Sequence, residues 1–395
     1  MRTARLLGAI FILAASITHT ASAEIRLTTL YSVIGESPVG LAASHDALYV
    51  ASDAFGTGPG QIFELSPPSL PGGPWTETVL HGFGGPGDGS EPELAPVDVA
   101  GALYGTTSAG GAYFVGVFYQ LQPPTLPGSS WVETVLYDFG APGSDIGYAV
   151  SGLVKGPGGS FYVLTSAPNL CQLLPPTSPG GAWTATILYS FPNDVLPNSL
   201  VAGPNGVLYG TNDNGGTSAP DGVFQLTPPA TPGGAWTETV IHSFFTRGGG
   251  PLNNPTSLTV APDGTIYGTA YGYTFITGFG ASGIFQLTPP AAPGGQWTYT
   301  NPTAPAFDRR FVTPVALVNG NLYGGISNGT GGSIFELQPP TAPDGAWTMT
   351  TLHVFTNGQV PTGNLVVEPD GVVYGTTAAA PGQPAGGTVF AILME

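Results

Sequence analysis

The chain has 395 residues, of which only 8% are charged, and its 24 Asp and Glu against 7 Lys and Arg give a net charge of −17 at pH 7. Such an acidic chain argues against nucleic acids and anionic membranes as partners, because both require a basic surface to neutralise their phosphates. The single cysteine, Cys171, excludes an intramolecular disulfide and argues against a thiolate metal site within one chain.

The first 23 residues have the three parts of a secretory signal peptide. Arg2 and Arg5 precede an apolar stretch, and Ala21-Ser22-Ala23 supplies the small residues at which a signal peptidase cuts. No later stretch has the roughly 18 to 20 uninterrupted apolar residues that cross a bilayer. We therefore expect residues 1–23 to be removed and residues 24–395 to form one secreted or periplasmic domain, monomeric and not inserted in a membrane.

Three sequence markers recur along residues 24–395. One is Trp-x-x-Thr or a close variant, one is an apolar residue followed by Tyr and usually Gly, and one resembles Val223-Phe224-Gln225-Leu226 and usually runs into Pro-Pro. The last two occur seven times and the first six times, with a period of about 50 to 60 residues. A period near 50 residues is typical of four-stranded propeller blades. The tryptophans are Trp75, Trp131, Trp183, Trp236, Trp297 and Trp347.

The seventh tryptophan strand is missing because the last repeat stops after residues 388–392. Residues 27–33 resemble residues 186–191, which form the fourth strand of the third repeat, and can take its place. We therefore predict an all-β, seven-bladed β-propeller of four-stranded blades, with the ring closed by the N-terminal strand pairing with the last repeat. A linear solenoid is the rival architecture, but it would need distinct capping repeats. The predicted blades cover residues 38–83, 94–139, 148–191, 197–244, 255–307, 313–355, and 361–395 with 25–33.

The segments Leu103-Tyr104-Gly105-Thr106-Thr107 and Val373-Tyr374-Gly375-Thr376-Thr377, each followed by a glycine-rich loop and a Val-Phe strand, resemble the Gloeo-Verruco (GloVer) repeat family. The resemblance covers nearly all of residues 24–395 and implies an extracytoplasmic bacterial protein. It brings no established activity and no catalytic residues. The anchoring segment that often ends such proteins is not expected here, and the third and fifth repeats depart from the pattern at residues 161–164 and 301–305.

Two loop classes vary from repeat to repeat, whereas the other two keep the same turn chemistry. The variable loops join strands two and three, or strand four and the next blade, and these two classes share one face of a propeller. Variation on a fixed scaffold is typical of binding loops, and exposed aromatic rings beside polar groups suit stacking on sugars. We expect the candidate ligand-binding residues to converge on one mouth of the channel. They are Asp88, Glu91, Asp145, Tyr271, Tyr273, Phe275, Arg309 and Arg310.

Carboxylates in these loops raise the possibility of glycoside cleavage. A glycosidase needs two carboxyl groups about 5 to 10 Å apart, one as acid and one as base or nucleophile. Asp88, Glu91, Glu93 and Asp145 are the candidates, although solvated loop charges are the ordinary interpretation.

The histidines are expected to pack within strands rather than bind metal. His81, His242 and His353 occupy the position that Tyr137 and Tyr189 fill in other repeats, so no zinc site is predicted. Residues 212–216 resemble part of a calcium loop and make Asp213 a weak calcium candidate, but the closing Glu is absent. Residues 325–329 match G-x-S-x-G without the strand–helix elbow that this motif needs, so we interpret the match as coincidental.

The sequence thus favours a secreted, non-catalytic recognition propeller for a glycan or a cell-surface protein, with no cofactor. An extracellular polysaccharide hydrolase or lyase on the same scaffold is the alternative, since a fold does not fix a function. A structural surface protein is the third possibility.

Overall fold

The computed structural model describes residues 25–44, 47–53, 58–70, 73–126, 129–192, 195–213, 221–231, 233–244, 252, 254–272, 280–292, 294–342, 345–356, 358–379 and 386–394. Within these ranges the chain forms seven antiparallel sheets arranged in a ring. The predicted seven-bladed β-propeller is therefore confirmed. No helix among the described residues is long and apolar enough to span a membrane.

The first strand, β1 (Ile25–Ile34), belongs to the last blade, and the chain then builds the blades in order. Blade one contains β2 (Ser37–Ser44), β3 (Ala47–Asp53), β4 (Gln61–Ser66) and β5 (Thr76–Gly82). Blade two contains β6 (Gly89–Pro92), β7 (Val97–Val99), β8 (Ala102–Gly110), β9 (Val117–Gln122) and β10 (Val132–Asp138). Blade three contains β11 (Val154–Lys155), β12 (Phe161–Thr165), β13 (Asn169–Leu174) and β14 (Thr184–Ser190).

The remaining blades follow the same order from inner to outer strand. Blade four contains β15 (Leu196–Ala202), β16 (Leu208–Asp213), β17 (Gly222–Thr227) and β18 (Thr237–Ser243). Blade five contains β19 (Asn254–Val260), β20 (Ile266–Tyr271), β21 (Ser282–Thr288) and β22 (Thr298–Thr300). Blade six contains β23 (Arg310–Phe311), β24 (Ala316–Val318), β25 (Asn321–Ser327), β26 (Gly332–Gln338) and β27 (Thr348–Val354). Blade seven contains β28 (Val360–Val367), β29 (Val373–Ala378), β30 (Gly386–Met394) and β1.

The two ends of the chain close the ring together. Strand β1 pairs antiparallel with β30, from Ile25 opposite Met394 to Ile34 opposite Gly386, as the sequence predicted. Asn364 strengthens the seam between blades seven and one, because its side chain accepts a hydrogen bond from the Leu41 N–H (3.0 Å) and donates one to the Leu41 carbonyl (2.7 Å). The edge of β30 is therefore paired by β1, and an amide side chain links blade seven to blade one.

Six of the seven blade junctions share a repeated aromatic contact. A tyrosine of one blade meets the tryptophan of the following blade, with ring centroids 5.6 to 6.5 Å apart and mostly edge-to-face. Edge-to-face contact is a favourable arrangement of aromatic rings and adds to the burial of their large apolar surface. The tryptophans thus belong to blade-to-blade packing. The pairs are Tyr374–Trp75, Tyr49–Trp131, Tyr104–Trp183, Tyr162–Trp236, Tyr209–Trp297 and Tyr267–Trp347.

Inside a blade, a glycine on the second strand makes room for an aromatic ring on the third. In blade four, Gly210 lies opposite Phe224, and a Cβ on Gly210 would come within 2.2 Å of the Phe224 Cζ. Blades two, five, six and seven repeat this pairing of glycine and aromatic residue. Blade three instead pairs Val163 with Cys171.

The variable loops share one face, as expected from the order of the strands. The Glu91 N–H, in the connection from blade one to blade two, donates to the carbonyl of Pro59, in the second loop of blade one (2.9 Å). The Asn169 side chain, after the second strand of blade three, donates to the Asp145 carbonyl in the preceding connection (2.9 Å). At these two junctions the connection between blades therefore lies against the segment that joins strands two and three.

Candidate functional site

A pocket of about 740 Å³ opens on the variable-loop face between blades five and six. Three segments supply its walls: the loop after β20, the connection between the two blades, and the loop after β25. The residues that line it are Tyr271, Gly272, Gly280, Phe307, Asp308, Arg309, Arg310, Ser327, Asn328 and Gly329.

The connection between blades five and six is held in place by Ser282 at the start of β21. Its N–H donates to the Ala306 carbonyl (2.8 Å), and the Ala306 N–H donates back to the Ser282 carbonyl (3.0 Å). The Ser282 hydroxyl also accepts a hydrogen bond from the Phe311 N–H (3.1 Å). These bonds fix both ends of residues 307–310, so the side chains between them project from an anchored segment.

The loop after β20 approaches its own backbone closely. The Gly272 N–H donates to the Ala281 carbonyl (2.6 Å), and the Gly280 N–H donates to the Gly272 carbonyl (2.7 Å). A Cβ on Gly280 would lie 2.6 Å from the Gly272 carbonyl carbon, so only glycine fits there. This closure of the loop positions Tyr271 at the edge of the pocket.

Two of the chain's seven basic residues lie side by side in this pocket. The Arg310 guanidinium carbon lies 5.0 Å from the centre of the Tyr271 ring, which is the geometry of a cation–π contact. The Arg309 Nε donates to the Asp308 carboxylate at 3.2 Å, and both side chains are exposed. Phe307 is 79% exposed and offers an apolar surface beside the two cations.

This combination can hold a ligand that is both ring-shaped and anionic. Guanidinium groups bind carboxylates and sulfates through paired N–H donors, and aromatic faces pack against the apolar side of a sugar ring. Of the predicted site residues, the structure brings together Tyr271, Arg309 and Arg310. Tyr273 and Phe275 lie outside the described residues, as does the side chain of Asp213.

The other predicted site residues lie at different blade junctions of the same face. Asp88 and Glu91 stand between blades one and two, and Asp145 stands between blades two and three. None of the three lines the pocket beside Tyr271. Glu91 and Asp145 have φ angles of 61° and 51°, so both occupy left-handed backbone positions that few residues other than glycine favour, Glu91 within the short strand β6.

Phe307 and Asn328 are pocket residues that the sequence analysis did not single out. Phe307 precedes the predicted Arg309 and Arg310 in the same short connection, and its place in a variable loop is the signal that could have identified it. Asn328 and Ser327 belong to the G-x-S-x-G match. The Ser327 hydroxyl accepts a hydrogen bond from the Gly329 N–H (3.3 Å), which fits the interpretation of this match as a turn.

All three strand histidines pack on an aromatic ring, as the sequence analysis expected, with His81 edge-on against Phe83 at 4.8 Å between ring centroids. His242 stacks on Tyr299 with ring centroids 4.2 Å apart, and burial lowers its pKa. His353 packs edge-on against Phe355, and burial likewise lowers its pKa. His81 differs, because its Nε2 lies 2.9 Å from the Asp88 carboxylate and both side chains are largely buried. Asp88 therefore faces into the junction rather than into the solvent of the loop face.

A second pocket, of about 800 Å³, lies on the opposite face between blades seven and one. It is lined by the repeated structural turns and by the packed pair Trp75 and Tyr374. Its charged residues are Glu368 and Asp370, and it has no cation among its lining residues. The pocket beside Tyr271 is therefore the stronger candidate site.

Solved structures similar to this chain share its fold at low sequence identity. A PL25 ulvan lyase bound to a GlcA(1-4)Rha3S saccharide aligns with a TM-score of 0.57 and 11% identity, over 92% of this chain and 95% of its own. The polysaccharide lyase Uly1 aligns with a TM-score of 0.55 and 10% identity, over 91% of this chain and 90% of its own. A protein from Lactobacillus plantarum aligns with a TM-score of 0.51 and 14% identity, over 80% of this chain and 84% of its own.

No protein-family model matches this chain, and no curated protein matches it. At identities this low, the structural similarities show the propeller fold alone.

Proposed function

We propose that this chain is a secreted carbohydrate-binding propeller that holds an acidic saccharide in the pocket between blades five and six. The observation that carries the proposal is the joint presence of Arg309, Arg310 and the Tyr271 and Phe307 rings in one pocket. A chain with a net charge of −17 repels anions over most of its surface, so two adjacent arginines mark the place where an anion can bind.

The class of sugar follows from the charges. A neutral saccharide would need stacking surfaces and amides but no pair of cations, whereas a uronate or a sulfated sugar matches a guanidinium group. The ulvan lyase of similar fold is bound to a saccharide that contains GlcA, an acidic sugar, which agrees with this class of ligand. The similarity to that enzyme concerns the fold and does not carry its activity to this chain.

The pocket favours binding over hydrolysis. Among the described residues that line the pocket, Asp308 is the only carboxylate, and it pairs with Arg309. A glycosidase of the common type uses two carboxyl groups on opposite sides of the bond that it breaks. Asp88, Glu91 and Asp145 lie at other junctions and do not supply the second group.

Lyase activity is the second candidate, and the contact between Arg310 and Tyr271 favours it over hydrolysis. β-Elimination of a uronate needs a cation to neutralise the carboxylate and a base to remove the proton at C5; the C4–O bond then breaks as the C4=C5 double bond forms, and the leaving oxygen takes up a proton. In this candidate Arg309 or Arg310 is the cation, and Tyr271 accepts the C5 proton as the phenolate and donates it to the leaving oxygen. A surface protein with a purely structural role is the third candidate and predicts no saccharide binding at all.

The binding proposal is tested by isothermal titration calorimetry with a polyuronate, a sulfated polysaccharide and a neutral polysaccharide of similar length. We expect the acidic polymers alone to bind, and the affinity to fall as salt rises because the contact is between exposed charges. Replacing both cations, Arg309→Ala with Arg310→Ala, should abolish binding. Arg26→Ala is the matched control, because it removes an exposed arginine from β1, in blade seven and away from the pocket.

Equal binding of the neutral polymer, or equal loss in the Arg26→Ala control, would contradict the proposed site. The lyase candidate is tested by incubating the same polymers with the protein and following the ultraviolet absorbance of unsaturated products. Product release that Tyr271→Phe abolishes would replace binding with catalysis as the function.

Export and family membership stay proposals. The segment of residues 1–23 supports secretion into the periplasm or medium, and the repeated Tyr-Gly-Thr-Thr segments support a relationship to the Gloeo-Verruco repeat proteins. Expression of the full chain in a bacterium, followed by N-terminal sequencing of the exported fraction, should give a protein that begins at Glu24. A product that stays in the cytoplasm with residues 1–23 attached would contradict export.

A further inference from the structure

Three ionisable side chains from two neighbouring blades meet at the junction of blades one and two. His81 comes from β5, Asp88 from the connection after it, and Glu133 from β10. One potential ligand atom from each, the histidine nitrogen and two carboxylate oxygens, lies within 4.8 Å of the other two. His81 Nε2 and Asp88 Oδ2 are 2.9 Å apart, with 21% and 11% of their side chains exposed.

Two other junctions also carry a glutamate at this place, and there a tyrosine pairs with it. Tyr31 of blade seven donates its hydroxyl to Glu77 of blade one at 2.6 Å, and Tyr189 of blade three donates to Glu238 of blade four at 2.9 Å. In both, a tyrosine on the outer strand of one blade satisfies a glutamate on the outer strand of the next. The register of the strands places these residues equivalently in each blade.

The junction of blades one and two keeps the glutamate but has lost the tyrosine. Glu133 lies opposite Leu121 as Glu238 lies opposite Leu226, whereas His81 now fills the tyrosine position. His81 turns to Asp88 instead, and the Glu133 Oε1 is buried without a hydrogen-bond partner in the described part of the chain. A buried carboxylate oxygen without a partner is costly.

A second orphaned group adds to the same junction. Tyr119 occupies the position that Phe fills in the five blades with Phe63, Phe224, Phe285, Phe335 and Phe390. Its side chain is fully buried, with 0% exposed, and its hydroxyl has no partner among the described residues. The Tyr119 ring packs edge-on against Phe83 with centroids 5.1 Å apart, and the Phe83 ring packs edge-on against His81 at 4.8 Å, so Tyr119 belongs to the same junction.

We propose that His81, Asp88 and Glu133 bind a divalent transition-metal ion, with zinc as the representative, that joins blades one and two. Two carboxylates balance the charge of such an ion, and one imidazole with two carboxylates is a donor set that zinc accepts. Calcium would require six or more oxygen ligands, which this junction does not supply. Side-chain rotations that move the three ligand atoms by about 1 Å would place each of them about 2.0–2.2 Å from a shared zinc ion.

The ion would also account for the orphaned atoms. Glu133 would gain a cation in place of its missing tyrosine, and a water on the ion would offer the Tyr119 hydroxyl a partner. The site lies away from the pocket between blades five and six, so it is independent of saccharide binding.

The test uses the chelator-treated, tag-free chain. Binding of zinc alone is measured by isothermal titration calorimetry, and binding of cobalt is measured by its visible absorption. We expect one ion per chain. His81→Tyr restores the Tyr–Glu pair of two other junctions, so it should fold while weakening zinc binding by at least about 100-fold. Asp88→Asn is a second variant with the same expected loss, should His81→Tyr fail to fold.

His353→Tyr is the matched control, because it makes the same change at the equivalent position of blade six and should bind zinc as the parent does. Absence of zinc binding by the parent chain would overturn the proposal. It would also be overturned if His81→Tyr and Asp88→Asn bound zinc as tightly as the parent, or if His353→Tyr lost the ion equally. The titration contains no saccharide, so its failure is distinguishable from failure of the proposed carbohydrate site.

Discussion

The pair Gly210 and Phe224 in blade four tests whether the glycine on the second strand is needed to make room for the aromatic ring on the third. A Cβ at residue 210 would lie 2.2 Å from the Phe224 Cζ and 2.7 Å from the Ser199 carbonyl oxygen, so it is confined on two sides. We therefore expect Gly210→Val to destabilise the protein by about 3 kcal/mol, at the upper end of the usual cost of overpacking. Phe224→Cys should cost about 3 to 5 kcal/mol, because Phe224 is 1% exposed and its removal leaves a cavity.

The double variant decides whether the two residues act as one unit. Blade three carries Val163 opposite Cys171 at the equivalent positions, and the two pairs have similar summed volume. Gly210→Val combined with Phe224→Cys should therefore be more stable than the two single costs imply, by a coupling energy of about 2 kcal/mol. In blade one Val50 lies opposite Phe63, so a valine and a phenylalanine can face each other where the surrounding side chains leave room for both.

The assay is urea denaturation followed by tryptophan fluorescence, with a double-mutant cycle built from the four unfolding free energies. Gly82→Val is the matched control, because a Cβ at residue 82 would meet no atom within 4 Å and the φ of Gly82 is not positive. Single variants as stable as the parent, or additive single costs, would refute the proposed coupling between the second and third strands.

Further predictions concern the seam, a buried histidine and the cysteine. Deletion of residues 24–33 should give an unstable or aggregating protein, because it exposes the paired edge of β30, and an unchanged melting temperature would contradict this. Burial lowers the folded-state pKa of His242 below 6.5, so unfolding takes up a proton below that pH and stability should fall as pH falls, by at most about 1.4 kcal/mol per pH unit. His242→Tyr should make the urea midpoint depend less on pH between roughly pH 7.5 and 5, the range around the ordinary histidine pKa. An unchanged pH dependence in this variant would show that another group causes it. Burial raises the pKa of the Cys171 thiol to about 12, so iodoacetamide should alkylate it only after unfolding, and rapid alkylation of the folded chain would contradict that.

The fold could be predicted because its signals are periodic. Seven copies of two markers and a displaced seventh outer strand predict the number of blades and the seam that the structure shows. The outer-strand bulges were not predicted. In β5 the register shifts between Val79 and His81, which leaves Leu80 buried and Val79 exposed, and simple alternation along the strand does not anticipate this.

The candidate site was predicted only in part because the loops carry no period. The class of loop in which they lie predicts that Tyr271, Arg309 and Asp145 share one face of the propeller. Which of them meet depends on the blade junction at which each lies, and Asp145 lies at a different junction from the other two. Glu133 and Tyr119 were missed because both belong to regular strands. Their signal was a departure from the sister repeats, since Tyr119 stands where five blades have phenylalanine.

The pairing of β1 with β30 also has a consequence for the order of folding. Its partners are separated by nearly the whole chain, so the first strand to leave a ribosome or an export channel waits for the last before it gains its hydrogen bonds. Blades one to six can assemble from neighbouring segments, whereas the last blade closes a loop of the entire domain and is therefore slow. Until that moment the chain exposes two unpaired strand edges, which makes the interval before closure the one in which two molecules could exchange their terminal strands.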